Sequence, residues 1–308
     1  MKNLFLNINL KYCQTQMIFL LIFFFTISQA ENNNLFEYEM KINTGITMPD
    51  KHLSDTLNKF AYTFLPSQHL MPILSANSTA HRISIFKITE NGCYIASMGG
   101  VFPLASASYK KRIFQLSIAS SLYTQLLKSP GHLEVINADF FADIYFDIAV
   151  SKNIIIRFGK GHTSQHLVDD AIEILNYTKS INYVRDYYSL FCMYKSDALK
   201  GNFYIGTYYN YNFKIPYDIS NTMIYEAGIE NSPIRLLKST FIFWGLDIKL
   251  RGELNYGTSQ NYQLGIKYDN LYGRTIRFAV NHRAGFEERG QFYNQKNKFN
   301  SIGIYFDF

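Results

Sequence analysis

Apolar residues return at every second position of this chain, in one long segment after another, and that period leaves few folds open. In 240–251, Ile242, Trp244, Leu246, Ile248 and Leu250 share one face, and Gly245, Asp247, Lys249 and Arg251 share the other. In 262–269, Tyr262, Leu264, Ile266 and Tyr268 alternate with Gln263, Gly265, Lys267 and Asp269. In 276–283, Ile276, Phe278 and Val280 alternate with Arg277, Ala279, Asn281 and Arg283. In 137–150, Ala138, Phe140, Ala142, Ile144, Phe146 and Ile148 oppose Asn137, Asp139, Asp143 and Asp147. Successive side chains of a β-strand point to opposite sides, so each segment has one greasy and one polar face.

A soluble sandwich alternates too, but three features favour a barrel that crosses a membrane. The segments run to about ten residues or more, the length a tilted strand needs to cross the hydrocarbon. Tyr, Phe and Trp crowd the segment ends, where interfacial girdles belong. The last segment, 299–308, sets Ile302, Ile304, Phe306 and Phe308 on one face and stops on an aromatic residue. An open sheet would leave edge groups unsatisfied in lipid, so the sheet must close.

The expected fold is all-β, a closed antiparallel transmembrane β-barrel of about twelve strands, at 82–88, 92–99, 112–123, 137–150, 152–164, 182–195, 202–214, 221–230, 239–253, 259–269, 274–284 and 298–308. An even number lets both ends face the periplasm. Short turns at 270–273 and Ser151 then lie inside, and the longer 165–181 and 285–297 loops outside. The 100–111 and 231–238 connections are long for the inner side.

Two segments precede the barrel of 82–308. Residues 1–30 read as a secretory signal: Lys2 and Lys11 supply positive charge, 17–27 is apolar, and Ser28-Gln29-Ala30 ends it with small residues. The apolar run is too short to span a bilayer as a helix. Residues 31–81 show no clear alternation and are punctuated by Pro49, Pro66 and Pro72. They are read as a periplasmic arm, a short helix near 53–64, or a plug. Cys93 and Cys192 follow the signal, on separate predicted strands; a disulfide between them is one reading, and two small buried or lipid-facing hydrophobes the blander one.

With 18% charged and 17% aromatic residues, the chain is neither disordered nor a coiled coil. A formal charge of +6 is a modest bias toward anionic lipopolysaccharide or phosphate. No basic patch points to nucleic acid. No glycine-rich phosphate loop, HExxH or Cys cluster is present, so neither cofactor nor metal is expected. The expected location is the outer membrane of a Gram-negative bacterium.

Alternation puts Asp139, Asp143, Asp147, Asp247 and Asp269 inside, with Arg157, Arg185, Lys249, Arg251, Lys267, Arg277 and Arg283. The simplest reading is that these charges pair across strands and fill a narrow lumen. The functional alternative is a narrow charged channel, smaller than the 16–18-stranded porins.

The densest polar patch is Gly159-Lys160-Gly161-His162-Thr163-Ser164-Gln165-His166, then Asp169 and Asp170, then Asn182-Tyr183-Val184-Arg185-Asp186. It resembles the signature of the family called domain of unknown function 1207, with its His-x-Ser-Ser-His run, acidic pair and Asn-Tyr-Ser-Arg element. Here Gln165 stands where the second Ser would be, and Val184 within the later element. The resemblance continues through Leu65-Pro66-Ser67-Gln68, Pro72-Ile73-Leu74-Ser75-Ala76 and Asn137-Ala138-Asp139-Phe140, over roughly 60–200. It implies an outer-membrane protein and supplies no reaction. The closing aromatic strand resembles the signal read by the outer-membrane assembly machinery, which makes that machinery and outer-membrane lipids the expected partners, through Phe308.

A second resemblance is geometric. Outer-membrane phospholipase A, a twelve-stranded barrel, sets a His and a Ser two residues apart on one strand, with an orienting Asn on the next. The corresponding residues are His162, Ser164 and Asn182. They imply a lipid hydrolase at the outer rim, with Ser activated by His and Asn fixing the imidazole. The bland alternative is a hydrogen-bonded rim network of His162, His166, Asp169, Asp170 and Arg185. A metal on His162, His166 and Asp170 is a third reading, with ligands only loosely convergent.

Overall fold

The computed structural model describes residues 60–110, 112–175, 180–215, 221–270 and 274–308. The expected signal and the first part of the expected arm lie outside the described residues. Fourteen strands form one antiparallel sheet, and twelve of them close into a barrel. In chain order they are β1 Ala61–Phe64, β2 Ile83–Ile88, β3 Tyr94–Tyr109, β4 Arg112–Ser129, β5 His132–Val135, β6 Asn137–Ala149, β7 Ile154–Leu167, β8 Tyr183–Ser196, β9 Gly201–Lys214, β10 Met223–Leu237, β11 Thr240–Arg251, β12 Gly257–Asp269, β13 Thr275–Phe286 and β14 Lys296–Asp307. Each wall strand pairs with its sequence neighbour, and β14 closes on β2. β1 and β5 are extensions that pair only with β3 and β4.

The wall is inverted relative to a soluble core. Leu264 and Phe278 point outward and are each 53% exposed, and Ile144, Phe158, Ile266, Ile302 and Ile304 join them. Asp147 and Arg277 point inward and are fully buried, with Asp139, Asp143, Asp247, Lys249 and Arg251. The alternation read from the sequence is therefore the division between exterior and lumen.

All hairpins at one end, the turn end, are short. The two long connections expected there are absent. β3 continues to Tyr109 and pairs Tyr109 with Arg112, and β10 continues to Leu237 and pairs it with Thr240. Pro103 and Pro233 hide these extensions from a periodicity argument. Each sits where the register shifts, at a bulge, which is where a strand tolerates the missing N–H and where alternation breaks. The left-handed φ of 47° at Lys110 belongs to the tight turn that replaces the expected loop. At the other end, the loop end, Asp169–Leu175 forms a short helix, α1. Its Ala171 packs with Ile136 and with Phe292 of the β13–β14 loop.

The seam is irregular. β2 spans only six residues. Beyond its start, β14 meets β3 directly, where the Val101 N–H donates to the Phe308 carbonyl at 3.3 Å. Gly100 permits that approach, since a Cβ there would lie 3.2 Å from the same oxygen. β1 continues this edge toward the turn end. Of the expected 53–64 helix, the described part is thus strand: Tyr62, Thr63 and Phe64 are β-formers, and β3 offers them an unpaired edge.

Candidate functional site: the occupied lumen

At Leu65 the backbone turns left-handed, with φ of 50°, and the chain leaves the wall for the lumen. Residues 66–82 rise from the turn end, double back near 77–80 and return to start β2. This segment carries almost no regular structure, so its backbone groups need partners from the wall. They find them. The Leu70 N–H donates to Gln115 Oε1 at 2.8 Å, and Gln115 Nε2 donates to the Gln68 carbonyl at 2.9 Å. The Ala76 N–H donates to Glu230 Oε1 at 3.2 Å, and Asn77 Nδ2 to Glu226 Oε1 at 2.7 Å. Arg157 reaches the Met71 carbonyl and Arg277 the Ser75 carbonyl, each at 3.3 Å. Gly245 leaves room for the segment; a Cβ there would stand 3.0 Å from Ala76 Cβ.

Apolar packing helps at the turn end. Met71 and Leu74 meet inward-facing Ile155, Phe191, Met193 and Tyr204. Nearer the loop end the contacts are polar. His81 Nε2 lies 2.8 Å from Asp143 Oδ2, and Lys249 Nζ donates to Thr79 Oγ1 at 3.1 Å. Arg82 lies 3.5 Å from Asp307 on β14 and also donates to the Leu74 and Ser75 carbonyls.

The loop end is covered as well. The β13–β14 loop folds inward, and Gln291 Nε2 donates to the Gln165 and Ile181 carbonyls at 2.6 and 2.7 Å. Glu287 pairs with Arg283 at 3.1 Å and with Arg289, and Glu288 pairs with Lys249 at 3.3 Å. Burial alone would raise the Glu287 carboxyl, but Arg283 and Arg289 outweigh it and hold the group well below the ordinary carboxylate range. Glu288 is held down in the same way, by Lys249 and Arg283 against its burial. Between plug and loop remains a cavity of about 100 Å³, with a second of about 30 Å³ on the opposite side of the plug.

The interior charges read from the sequence mostly pair. Arg157 Nε lies 2.7 Å from Asp147, and Arg277 Nε 2.7 Å from Asp307. Lys249 lies 3.9 Å from Glu226. Lys267 pairs with Asp269 at 3.1 Å, at the turn-end mouth where both are partly exposed. Asp139 is buried at the loop end of β6. Arg251 pairs with Glu253 at 2.7 Å.

The expected catalytic residues are not brought together as a triad. β7 runs without a register shift, so His162, Ser164 and His166 share the outward face. Ser164 Oγ lies 2.7 Å from His166 Nε2, not against His162. His162 Nδ1 instead lies 2.7 Å from Asp186 Oδ1, whose other oxygen accepts from Asn212 at 2.6 Å. Asn182 is exposed, just before β8, and is no partner of either His among the described residues. Two members of the expected rim network, His162 and His166, have other partners, Asp186 and Ser164. Asp169 is exposed at the start of α1, Asp170 follows it in the same helix, and Arg185 points into the lumen. Among the described residues no three His, Cys, Asp or Glu side chains are placed to share a metal. Cys93 and Cys192 are free thiols.

Sequence reasoning missed the residues that hold the plug: Asn77, His81 and Arg82 on the segment, Glu226 and Glu230 on β10. Glu226 and Glu230 share an inward face with Ile224 and Gly228, so alternation within 221–230 carried the signal. Nothing periodic marked the segment itself.

Fold and site together define a closed antiparallel barrel whose lumen is occupied by a segment of its own chain. The sequence matches the model of the family described as Protein of unknown function (DUF1207) over residues 39–308, and the chain belongs to that family. No curated protein matches it. Among solved structures, Pseudomonas aeruginosa OprD is similar at 10% identity and a TM-score of 0.30, over 78% of this chain and 74% of that one. A BenF-like porin from Pseudomonas fluorescens is similar at 10% identity and 0.28, over 77% and 71%.

Proposed function

We propose that this protein is an integral barrel of the Gram-negative outer membrane, and that its lumen is a gated passage held shut by residues 66–82. The observation that carries the reading is the polar character of the plug's attachment. Glu226 and Glu230 grip Asn77 and Ala76 through hydrogen bonds, on a wall otherwise lined with ion pairs. Such contacts exchange with water when a plug moves, so each costs about 1 kcal/mol net to release. The greasy exterior supports a lipid surround, because an exposed apolar belt of this extent has no stable place in water. In this reading the turn end faces the periplasm, and the assembly machinery engages β14 and the Phe308 that follows it.

Two measurements test it. In fractionated cells the protein should stay in the outer-membrane pellet through alkaline extraction; release into the soluble fraction overturns the location. In planar bilayers the wild-type barrel should be silent, and the Glu226→Ala/Glu230→Ala variant should show discrete conductance steps. An Ala76→Cys/Gly245→Cys pair added to that variant, with Cys93 and Cys192 replaced by Ser, should silence it on oxidation. A released variant that never conducts overturns the passage.

A further inference from the structure

Each luminal cation among the described residues has a carboxylate within ion-pair distance, with one exception. Arg82, Arg157, Lys249, Arg251, Arg277, Arg283 and Arg289 are all paired. Arg185 is not. Its guanidinium stands 5.5 Å from the Tyr183 ring centroid, 5.9 Å from that of Tyr187 and 6.0 Å from that of Phe213. Its Nε is buried without a hydrogen-bond partner. The strands build this setting. Tyr183 and Tyr187 flank Arg185 on the inward face of β8, and Phe213 is its registered neighbour on β9.

Aromatic rings stabilise a guanidinium through its face and leave the N–H edge free, and that edge matches the paired oxygens of a carboxylate or phosphate. A half-buried guanidinium with no carboxylate at ion-pair distance keeps N–H groups free for a counter-charge. Arg185 lines the larger cavity together with Arg157, Lys249 and Arg251, against the acids Asp143 and Glu288. Both acids are engaged, Asp143 by His81 and by the Tyr187 hydroxyl at 3.0 Å, Glu288 by Lys249. Glu253 lies beyond ion-pair distance of Arg185; Arg251 holds one of its oxygens, and the other has no hydrogen-bond partner. A cavity of about 100 Å³ holds roughly three waters or one oxyanion of similar bulk.

We infer that Arg185, caged by Tyr183, Tyr187 and Phe213, is the anchor of a binding site for a small oxyanion, a carboxylate or a phosphate, in the lumen beneath the loop end. The inference needs only the folded barrel and stands independently of where the barrel resides or whether it conducts. Equilibrium dialysis of the refolded full chain in detergent, against labelled inorganic phosphate and separately against labelled acetate, tests it. At least one should bind saturably, one ion per chain. Phosphate alone assigns a phosphate site, acetate alone a carboxylate site, and both a general oxyanion site. Binding should be about tenfold weaker in Arg185→Gln, the loss of one charge-assisted pair. It should be intermediate in Arg185→Lys and unchanged in Arg235→Gln, whose side chain is exposed at the turn end. Each variant is first checked for a trypsin-resistant barrel. Two results overturn the site: no saturable binding of either ion to the wild type, which does not depend on any variant folding, or binding at the wild-type level in folded Arg185→Gln.

Discussion

Arg277 shows how one side chain can serve wall and plug together. It is fully buried, donates to both oxygens of Asp307 at 2.7 and 3.1 Å, and reaches the Ser75 carbonyl. Removing one partner of a buried pair strands the other, so Arg277→Met should destabilise the barrel by about 3–5 kcal/mol. Denaturant unfolding in detergent checks the figure. Arg82, 3.5 Å from the same carboxylate, sets the lower end of that range. Glu287 makes a pH prediction at the same scale. Its folded carboxyl titrates below the unfolded one, so its stabilisation is complete above the ordinary carboxylate range and is lost only as pH falls through the depressed folded value. The loop-end cover should therefore stay closed in mild acid and loosen in strong acid. Glu287→Gln should loosen it at neutral pH, read as faster tryptic cleavage after Arg289.

At the scale of elements, the wall strands were legible because inward and outward faces are set locally, by a period of two. The segments 137–150, 240–251 and 262–269 carry their sidedness in their own residues. Legibility fails where the backbone departs from that period, at the Pro103 and Pro233 bulges, so two hairpin arms look like loops in the sequence. Residues 66–82 were illegible for another reason. Their conformation is fixed by contacts far apart in sequence, such as Ala76 with Glu230, and no local pattern announces them. The site divides the same way. That Asp147, Lys249 and Arg277 face the lumen followed from alternation. That Ser164 pairs with His166, and His162 with Asp186, depends on neighbouring strands and rotamers that spacing leaves open.

For the molecule as a whole, the exterior decides where it can live. Phe278 sits between Ile266 and Ile304 on the outward face, within an apolar run bounded by Tyr268 and Tyr262. Phe278→Arg should cost about 2–4 kcal/mol in a bilayer, the depth-dependent cost of a charge on the lipid face of a barrel. The loss should nearly vanish for an arginine placed near either rim, and folding titrations into lipid vesicles measure both. A depth-independent cost would contradict a membrane-embedded belt. The narrowest stave of the wall is β2, and it is spliced without a linker to the segment inside; Arg82, the last residue before the splice, also clasps Asp307 on the closing strand. Any force that draws the stopper toward the turn end is therefore delivered to the hem where the cylinder is sewn shut, so that the ease of uncorking the barrel is set by how firmly its side is stitched.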